Sequence, residues 1–244
     1  MKDFEKEVFV YYYKTNAFQK KIQAAKKVIR RAFDSLPSEK WYVAFSGGKD
    51  STVVFDLVRS EYKDIQGIWN DDEFYLPETI EYIERIKKAG ANIAHISIQV
   101  QHTEWFTANE GNPATADIYD KYSGVFWGLR AQENSKRKKF LKACGALHYS
   151  QAQGKSKTAG KWTCSPIAWW STEDVWAYIF GRGLDYNEAY DRLSEMGLSI
   201  DKQRIGPYAT ENALGYGMLV TLKKGWPEEY QYFLAKHPQA AEYV

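Results

Sequence analysis

The spacing of apolar residues changes abruptly along residues 41–58. Trp41 to Phe45 is a short apolar and aromatic run, which is typical of a buried strand. From Ser51 onward the apolar residues recur at helical spacing, at Val53, Val54, Leu57 and Val58. Between these two runs, Ser46 to Asp50 includes two adjacent glycines. The pattern predicts a strand, a tight loop and a helix in succession.

The rest of the chain repeats this alternation of strands and helices. The predicted strands are 65–70, 91–100 and 124–129, the predicted helices are 17–33, 77–90, 171 onward, 187–196 and 227–236, and the segments without periodicity are 101–123 and 150–161. Alternating strands and helices of these lengths predict an α/β fold, with a parallel twisted sheet flanked by helices. A mainly helical C-terminal extension follows the sheet.

The residues of the 46–52 loop suit an anion. Gly47 and Gly48 allow a positive φ and a close approach of the backbone to a ligand. The first amides of the following helix point outward at the positive end of its dipole. Ser46, Ser51 and Thr52 add hydroxyl groups, and Lys49 adds a positive charge beside Asp50. The loop is neither a Walker loop nor a dinucleotide fingerprint, and an ordinary strand-to-helix turn is the alternative; we predict a phosphate or pyrophosphate cradle.

The run Ser46-Gly-Gly-Lys-Asp-Ser51 resembles the loop of the PP-loop ATP pyrophosphatases. Within that superfamily, the chain resembles the phosphoadenosine phosphosulfate (PAPS) reductase family, also through the stretches that begin at Gly128, Cys164 and Leu184. The resemblance implies a Rossmann-like sheet of the adenine nucleotide alpha hydrolase type and an adenine nucleotide ligand, ATP or a PAPS-like compound. We therefore expect a nucleotide-binding region over residues 1–165, with residues 166–244 packed on it as one compact unit.

Asp71 follows the second predicted strand, at the edge of the sheet that carries the loop. In the family an aspartate at this point precedes a Pro-Glu-Thr stretch, and Pro77-Glu-Thr79 stands at the same separation here, although Asp72 and Leu76 depart from the reductase pattern. The resemblance implies that Asp71 holds Mg²⁺ or a ribose hydroxyl. A solvated acidic turn is the alternative.

Gly128-Leu-Arg130 leads into Glu133 and Arg137, which is similar to a second motif of the family. Arg130 follows a predicted strand at the ligand edge and offers a bidentate fork to phosphate or sulfate. We predict Arg130 and Arg137 as nucleotide-binding residues, and Lys49 and Arg130 as catalytic ones. The charged run over residues 136–139 extends this anion site or is a solvated surface.

The cysteines depart from the reductase pattern. A reductase of the family has a nucleophilic cysteine in a Glu-Cys-Gly-x-His stretch near its C-terminus, whereas this chain has no cysteine after Cys164. Cys144 precedes His148 in a partly similar stretch, for which a buried small side chain is the simpler interpretation. Two cysteines cannot ligate an iron–sulfur cluster, and the four histidines show no zinc-binding spacing, so we expect neither group.

Composition limits the possible partners. The 244 residues carry a net charge of +2, which does not by itself indicate nucleic acid. The predicted helix over 17–33 has a basic face, which is a weak sign of a nucleic-acid partner and more simply a solvated surface. Nothing in the sequence spans a membrane or resembles a signal peptide, so a cytoplasmic protein is expected. The oligomeric state stays open.

Three functions remain open. The first is an ATP-dependent enzyme that cleaves the α–β bond with Mg²⁺, releases pyrophosphate and adenylylates an unknown, anionic small-molecule acceptor. Lys155, Lys157 and Lys161 are expected to close over its site from a loop. The second is a sulfonucleotide (PAPS) reductase that uses Cys144. The third is a non-catalytic nucleotide-sensing or nucleic-acid-modification partner.

Overall fold

A six-stranded, mostly parallel sheet organises the chain. The computed structural model describes residues 3–71, 74–97, 118–151, 159–206 and 217–244. The strands are β1 Trp41–Ala44, β2 Gln66–Asp71, β3 Ile93–Ser97, β4 Gly124–Phe126, β5 Leu147–Tyr149 and β6 Trp162–Cys164. The α-helices are α1 Asp3–Tyr13, α2 Asn16–Ser35, α3 Lys49–Glu61, α4 Pro77–Lys88, α5 Ser135–Cys144, α6 Thr172–Arg182, α7 Ala189–Glu195, α8 Met218–Gly225 and α9 Pro227–Lys236.

The strand order is β3-β2-β1-β4-β6-β5, and only β5 runs antiparallel to its neighbour. The chain moves outward from β1 through β2 to β3, and then returns to the other side of β1 at β4. This reversal creates a switch point at the carboxyl ends of β1 and β4, where sheets of this type bind ligands. The predicted α/β class with a parallel twisted sheet is confirmed.

Two segments have a regular structure that the sequence pattern did not predict. The predicted long loop over 150–161 lies between β5 and β6, which pair as antiparallel strands with His148 opposite Thr163. The charged run over 136–139 lies inside α5, whose Asn134 side chain caps the helix by accepting from the Arg137 amide. Residues 98–117 and 152–158, including Lys155 and Lys157, lie outside the described residues.

The two faces of the sheet are covered differently. Phe18, Trp41, Trp69 and Trp176 belong to a large core that extends from α2 to the residues after α9, so the predicted nucleotide-binding region and the C-terminal helices share one set of buried contacts. The opposite face carries a smaller cluster of Tyr42, Ile68, Ile96, Tyr122 and Val125. Successive side chains of β2 point alternately into these two cores. This alternation determines which of the last residues of β2 faces the cavity beside the 46–52 loop.

The N-terminal helices are fastened to α6 by a buried carboxylate. Asp174 accepts hydrogen bonds from Lys21 Nζ at 2.7 Å, Tyr12 Oη at 2.8 Å and the Ser171 amide at 2.8 Å, the last as part of a capping box. A Cβ at Gly181 would lie 2.0 Å from Tyr13 Cγ, so α1 packs closely against α6 at Gly181. Among the residues that the structure describes, no α-helix of 18 residues or more has the apolar character of a membrane-spanning segment.

Candidate nucleotide site

The 46–52 loop lies at the carboxyl end of β1 and leads directly into α3. Gly47 has a φ of 70°, and a Cβ there would also lie 3.0 Å from Thr79 Cγ2, so glycine is required. Gly48 has a φ of −83° and forms the N-terminal cap of α3. Both glycines permit a positive φ, and only Gly47 adopts one. The helix begins at Lys49, two residues earlier than the apolar spacing indicated.

Hydrogen bonds within the loop hold its hydroxyl groups in place. Ser51 Oγ accepts from the Ser46 amide at 3.2 Å and donates to the Gly48 carbonyl at 2.9 Å. Thr52 Oγ1 lies 2.9 Å from Tyr82 Oη and does not line the cavity described below. The backbone amides of Asp50 and Ser51, in the first turn of α3, have no hydrogen-bond partner among the described residues. These amides are the groups that an anion at the helix start can use.

Lys49 is a buried cation next to those amides. Its side chain is only 6% exposed, and Nζ donates to the Gln203 carbonyl at 3.2 Å and lies 3.6 Å from Asp50 Oδ2. Burial lowers the pKa of Lys49; Asp50 raises it in part, while Arg130 and Arg204 lower it further. The ammonium group is thus short of negative charge in the protein alone, which favours the binding of an anion.

Two residues from the C-terminal half complete the loop environment. Tyr190 on α7 accepts a hydrogen bond from the Lys49 amide at 3.1 Å, and its ring centroid lies 5.1 Å from Lys49 Nζ. The second is Gln203, whose carbonyl holds the same Nζ. The similarity of the stretch that begins at Leu184 to a family motif was the available signal for Tyr190.

The segment after β4 packs against the loop backbone. Trp127 continues the pairing of β4 by donating its amide to the Cys164 carbonyl at 2.8 Å. A Cβ at Gly128 would lie 2.9 Å from the Asp50 carbonyl carbon and 3.0 Å from the Ser51 nitrogen. Both neighbours are backbone atoms, so they cannot rotate away. Gly128 is therefore required for the start of α3 to reach its present position.

Arg130 is buried and directed at protein groups. It is 3% exposed, and its Nε donates to Asp50 Oδ1 at 2.5 Å. Nη1 donates to Gln132 Oε1 at 3.1 Å, and Gln132 also accepts from the Thr172 amide at the start of α6. Arg130 does not line the cavity beside the loop. The structure gives Arg130 a positioning role that joins the loop to α6, whereas direct contact with a nucleotide stays a prediction.

Arg137 and Glu133 stand at the border of the cavity. Arg137 Nη1 forms a short ion pair with Glu133 Oε2, and both side chains line the cavity. Glu133 Oε2 also accepts from the Arg130 amide at 2.9 Å, and its Oε1 lies 3.8 Å from Arg204 Nη1. Glu133 thus holds two arginines at one border of the site. Neither Glu133 nor Arg204 was predicted as a site residue.

Asp71 lies on the opposite side of β2 from the cavity. Its Oδ2 is 3.0 Å from His95 Nε2 on β3, on the face that carries Trp69. The preceding residue, Asn70, lines the cavity and accepts from Tyr119 Oη at 2.5 Å. Strand alternation places neighbouring residues on opposite faces. The geometry therefore gives no support to Mg²⁺ ligation by Asp71, and no group of three metal-binding side chains is found in the described ranges.

A cavity of about 510 Å³ adjoins the loop. Ser46, Gly48, Lys49, Asp50 and Ser51 form one wall, whereas Gly47 lies in the turn outside it. The other walls include the aromatic residues Tyr42, Tyr75, Tyr119 and Trp127 together with Ile68 and Asn70. Polar loop atoms on one side and aromatic rings on the other match a molecule with an anionic end and a planar end.

A smaller space of about 270 Å³ continues beyond Lys49. Lys49, Glu133 and Arg204 line both spaces, and Arg130, Asp201, Gln132 and Thr172 line only the smaller one. Three cations and two carboxylates meet here. The smaller space therefore extends the positively charged end of the cavity, and Arg130 lines it.

The remaining predicted residues lie elsewhere. Lys161 Nζ donates to the Tyr119 carbonyl at 2.7 Å, and burial lowers the pKa of Lys161. Cys144 is exposed at the end of α5 and does not line the loop cavity, so the expectation that it is buried is wrong. Cys164 is fully buried, which raises the pKa of its thiol. On the basic face of α2, Lys21 pairs with Asp174, and Lys26 and Arg30 pair with Glu61.

The fold and the loop define a PP-loop α/β protein with an adenine-nucleotide type of site. The family model of the phosphoadenosine phosphosulfate reductase domain matches residues 40–210, so the chain belongs to this family. An uncharacterized protein of Methanocaldococcus jannaschii is 25% identical over 82% of this chain, which spans about half (49%) of that relative's length. Adenosine 5'-phosphosulfate reductase of Staphylococcus saprophyticus is 22% identical over 69% of this chain and 72% of its own.

Solved structures share the fold. PAPS reductase from Candida auris has a TM-score of 0.56 and 18% identity, covering 77% of this chain and 89% of its own. FMN adenylyltransferase from Candida glabrata, solved with ATP, also has a TM-score of 0.56, with 14% identity over 76% of this chain and 65% of its own. Both likenesses concern the fold, and the predicted family resemblance is confirmed.

The contact of Gly128 with the loop generates a prediction. Gly128→Ala is expected to weaken nucleotide binding by about 10- to 100-fold, because a shift of the loop by a fraction of an ångström disorganises the anion contacts. Isothermal titration calorimetry with ATP measures the change. Gly225→Ala is the matched control, since a Cβ there meets only the Sδ and Cε of the flexible Met196 side chain. Equal affinities of Gly128→Ala and the parent protein would contradict the packing argument.

The lowered pKa of Lys49 generates a second prediction. An anionic ligand raises the pKa of Lys49, which is lowered in the protein alone. At a pH between the pKa of the unliganded protein and that of the complex, Lys49 is therefore more protonated in the complex. ATP affinity is therefore expected to fall as pH rises from the lowered pKa of the unliganded protein to the higher pKa of the complex. Calorimetry in buffers of different ionisation enthalpy measures the proton uptake. Lys49→Ala should abolish the uptake, whereas the exposed Lys63 can be replaced by alanine without effect.

Proposed function

We propose that this protein binds ATP in the loop cavity, cleaves the α–β phosphate bond and transfers the adenylyl group to an acceptor. One observation carries the proposal: the outward amides of Asp50 and Ser51 stand beside a buried lysine that lacks full compensation by negative charge. This arrangement supplies positive potential for a polyphosphate without a covalent nucleophile. Adenylyl transfer is a reaction in which positioning and charge stabilisation suffice.

The walls suggest how ATP is oriented. The adenine ring lies among Tyr42, Tyr119 and Trp127, and the triphosphate runs along the 46–52 loop. The β- and γ-phosphates extend past Lys49 into the smaller space that Arg130 and Arg204 line. Charge that develops on the leaving pyrophosphate is stabilised there by Lys49. Arg130 contributes mainly through Asp50, whose position at the start of α3 it fixes.

Mg²⁺ is assigned to the substrate, as MgATP. Mg²⁺ commonly binds to phosphates plus one or two carboxylates and retains several waters. The carboxylates of Asp50 and Glu133 border the cavity, but each is already paired with an arginine. Asp201 is a further carboxylate in the smaller space, and the chain's main contribution is the positive potential of the loop and Lys49.

Product analysis tests the proposal. Incubation with MgATP and a panel of anionic small molecules should release pyrophosphate and yield AMP or an adenylylated acceptor. Lys49→Ala is expected to weaken ATP binding by about 10- to 100-fold, the loss typical of a charged hydrogen bond. Lys63→Ala, an exposed lysine after α3, is the matched control. Release of ADP and orthophosphate instead, or full ATP affinity in Lys49→Ala, would overturn the proposal.

A sulfonucleotide reductase is the second candidate, because several relatives are named adenosine 5'-phosphosulfate reductases. The cysteine positions weigh against it, since Cys164 is buried and Cys144 lies outside the loop cavity. This candidate predicts that sulfite is released from adenosine 5'-phosphosulfate or PAPS in the presence of a thiol reductant, and that Cys144→Ser abolishes the release. Sulfite release that survives in Cys144→Ser would exclude Cys144 as the nucleophile.

A further inference from the structure

A second space of about 660 Å³, here called the groove, adjoins the loop cavity. Trp127 and Leu129 line both spaces, so only the segment after β4 separates them. Helix α5 also serves both: Arg137 lines the loop cavity, whereas Phe140 and Cys144 line the groove. A ligand in the groove therefore lies next to the molecule that the loop holds.

Among the described residues, the walls of the groove are aromatic and polar and include no carboxylate, lysine or arginine. Phe140 is 46% exposed and Tyr149 is 51% exposed, so two large rings face the solvent. The Phe140 ring stands edge-on to His148, with ring centroids 5.3 Å apart. Polar groups of Ser150, Gln151, Thr163 and Ser165 also line the space. Such walls suit an uncharged planar ring with hydrogen-bonding edges.

The border of the groove is strongly basic. Five of the ten residues of α5 are basic and none is acidic. Lys136, Lys138, Lys139 and Lys142 are exposed, and none forms an ion pair within the described part of the chain, whereas Arg137 pairs with Glu133. Lys136 precedes Phe140 by four residues and lies on the same face of the helix. Positive charge therefore stands directly beside the exposed ring.

We propose that the groove binds a nucleobase-type heteroaromatic ring, with an attached phosphate held by Lys136 and Lys139. The ring stacks on Phe140 and Tyr149, and its edge bonds to the polar groups of the wall. Two sources present this chemistry: a free mononucleotide and a nucleotide within a single-stranded nucleic acid. Binding itself does not depend on ATP cleavage; a role as acceptor subsite rests on the proposed function.

Cys144 provides a direct measure of occupancy. Its thiol is exposed and lines the groove, whereas Cys164 is fully buried, so N-ethylmaleimide should alkylate Cys144 selectively. Alkylation rates are measured by intact-mass spectrometry with UMP and, separately, with a short oligouridylate. At a ligand concentration of about ten times Kd, alkylation should slow by about tenfold, since only the unoccupied groove reacts. The same protection is expected in Lys49→Ala, because Lys49 does not line the groove.

Matched variants test the two contacts. Phe140→Ala should weaken binding by about 5- to 100-fold, the range for loss of one base–aromatic stack. Tyr11→Ala on α1 is the aromatic control, since Tyr11 is 76% exposed and remote in the sequence. Lys136→Ala should weaken binding and lower the salt slope by about one charge, and Lys142→Ala, from another face of α5, should change both less. Thermal melting verifies that each variant is folded.

Each outcome decides the proposal. Protection by UMP and by oligouridylate identifies a free nucleotide as a sufficient ligand, and protection by oligouridylate alone identifies single-stranded nucleic acid. Unchanged alkylation with both probes at their highest soluble concentrations would overturn the proposal. So would full protection in Phe140→Ala at the affinity of the parent protein. Because the readout is alkylation, a failure of ATP cleavage leaves this test intact.

Discussion

The buried ion pair between Arg130 and Asp50 is the contact on which the site depends. It joins the first turn of α3, the segment after β4 and the start of α6, three elements that are distant in the sequence. Arg130 is almost fully buried, so loss of Asp50 leaves an uncompensated buried charge, at a cost of about 3–5 kcal/mol. The pair therefore fixes where the outward amides of α3 point, which preorganises the loop for the anion that we propose it binds.

Lys49 is also held in a fixed position, but its positive charge is only partly compensated by the protein. Its ammonium group is buried against the Tyr190 ring and one carbonyl, and Asp50 is shared with Arg130. The positive charge of Lys49 is thus incompletely compensated in the protein alone, and an anionic ligand can compensate it. For the proposed reaction, catalysis by differential binding requires Lys49 to interact more strongly with the transition state than with bound ATP.

The sequence predicted the sheet, the loop and the helix after it, because spacing and turn residues report local structure. It did not predict β5 and β6, which are short strands that pair antiparallel at the sheet edge, where no periodicity can develop. It selected Asp71 for its carboxylate and for the family resemblance, whereas the residue that lines the cavity is the neighbouring Asn70, because a shift of one residue along a strand reverses the face. Glu133, Tyr190 and Arg204 were missed because contacts across the fold leave no spacing signal.

Residues 127–130 explain why a glycine and an arginine two positions apart accompany the loop. Gly128 touches the loop backbone and Arg130 binds Asp50, so both of these residues face the start of α3. Trp127 and Leu129, which alternate with Gly128 and Arg130 along the segment, form the wall between the loop cavity and the groove. In this segment, Gly128 and Arg130 therefore position the start of α3, whereas Trp127 and Leu129 separate the two spaces. A change at Trp127 or Leu129 therefore alters a wall of both spaces at once.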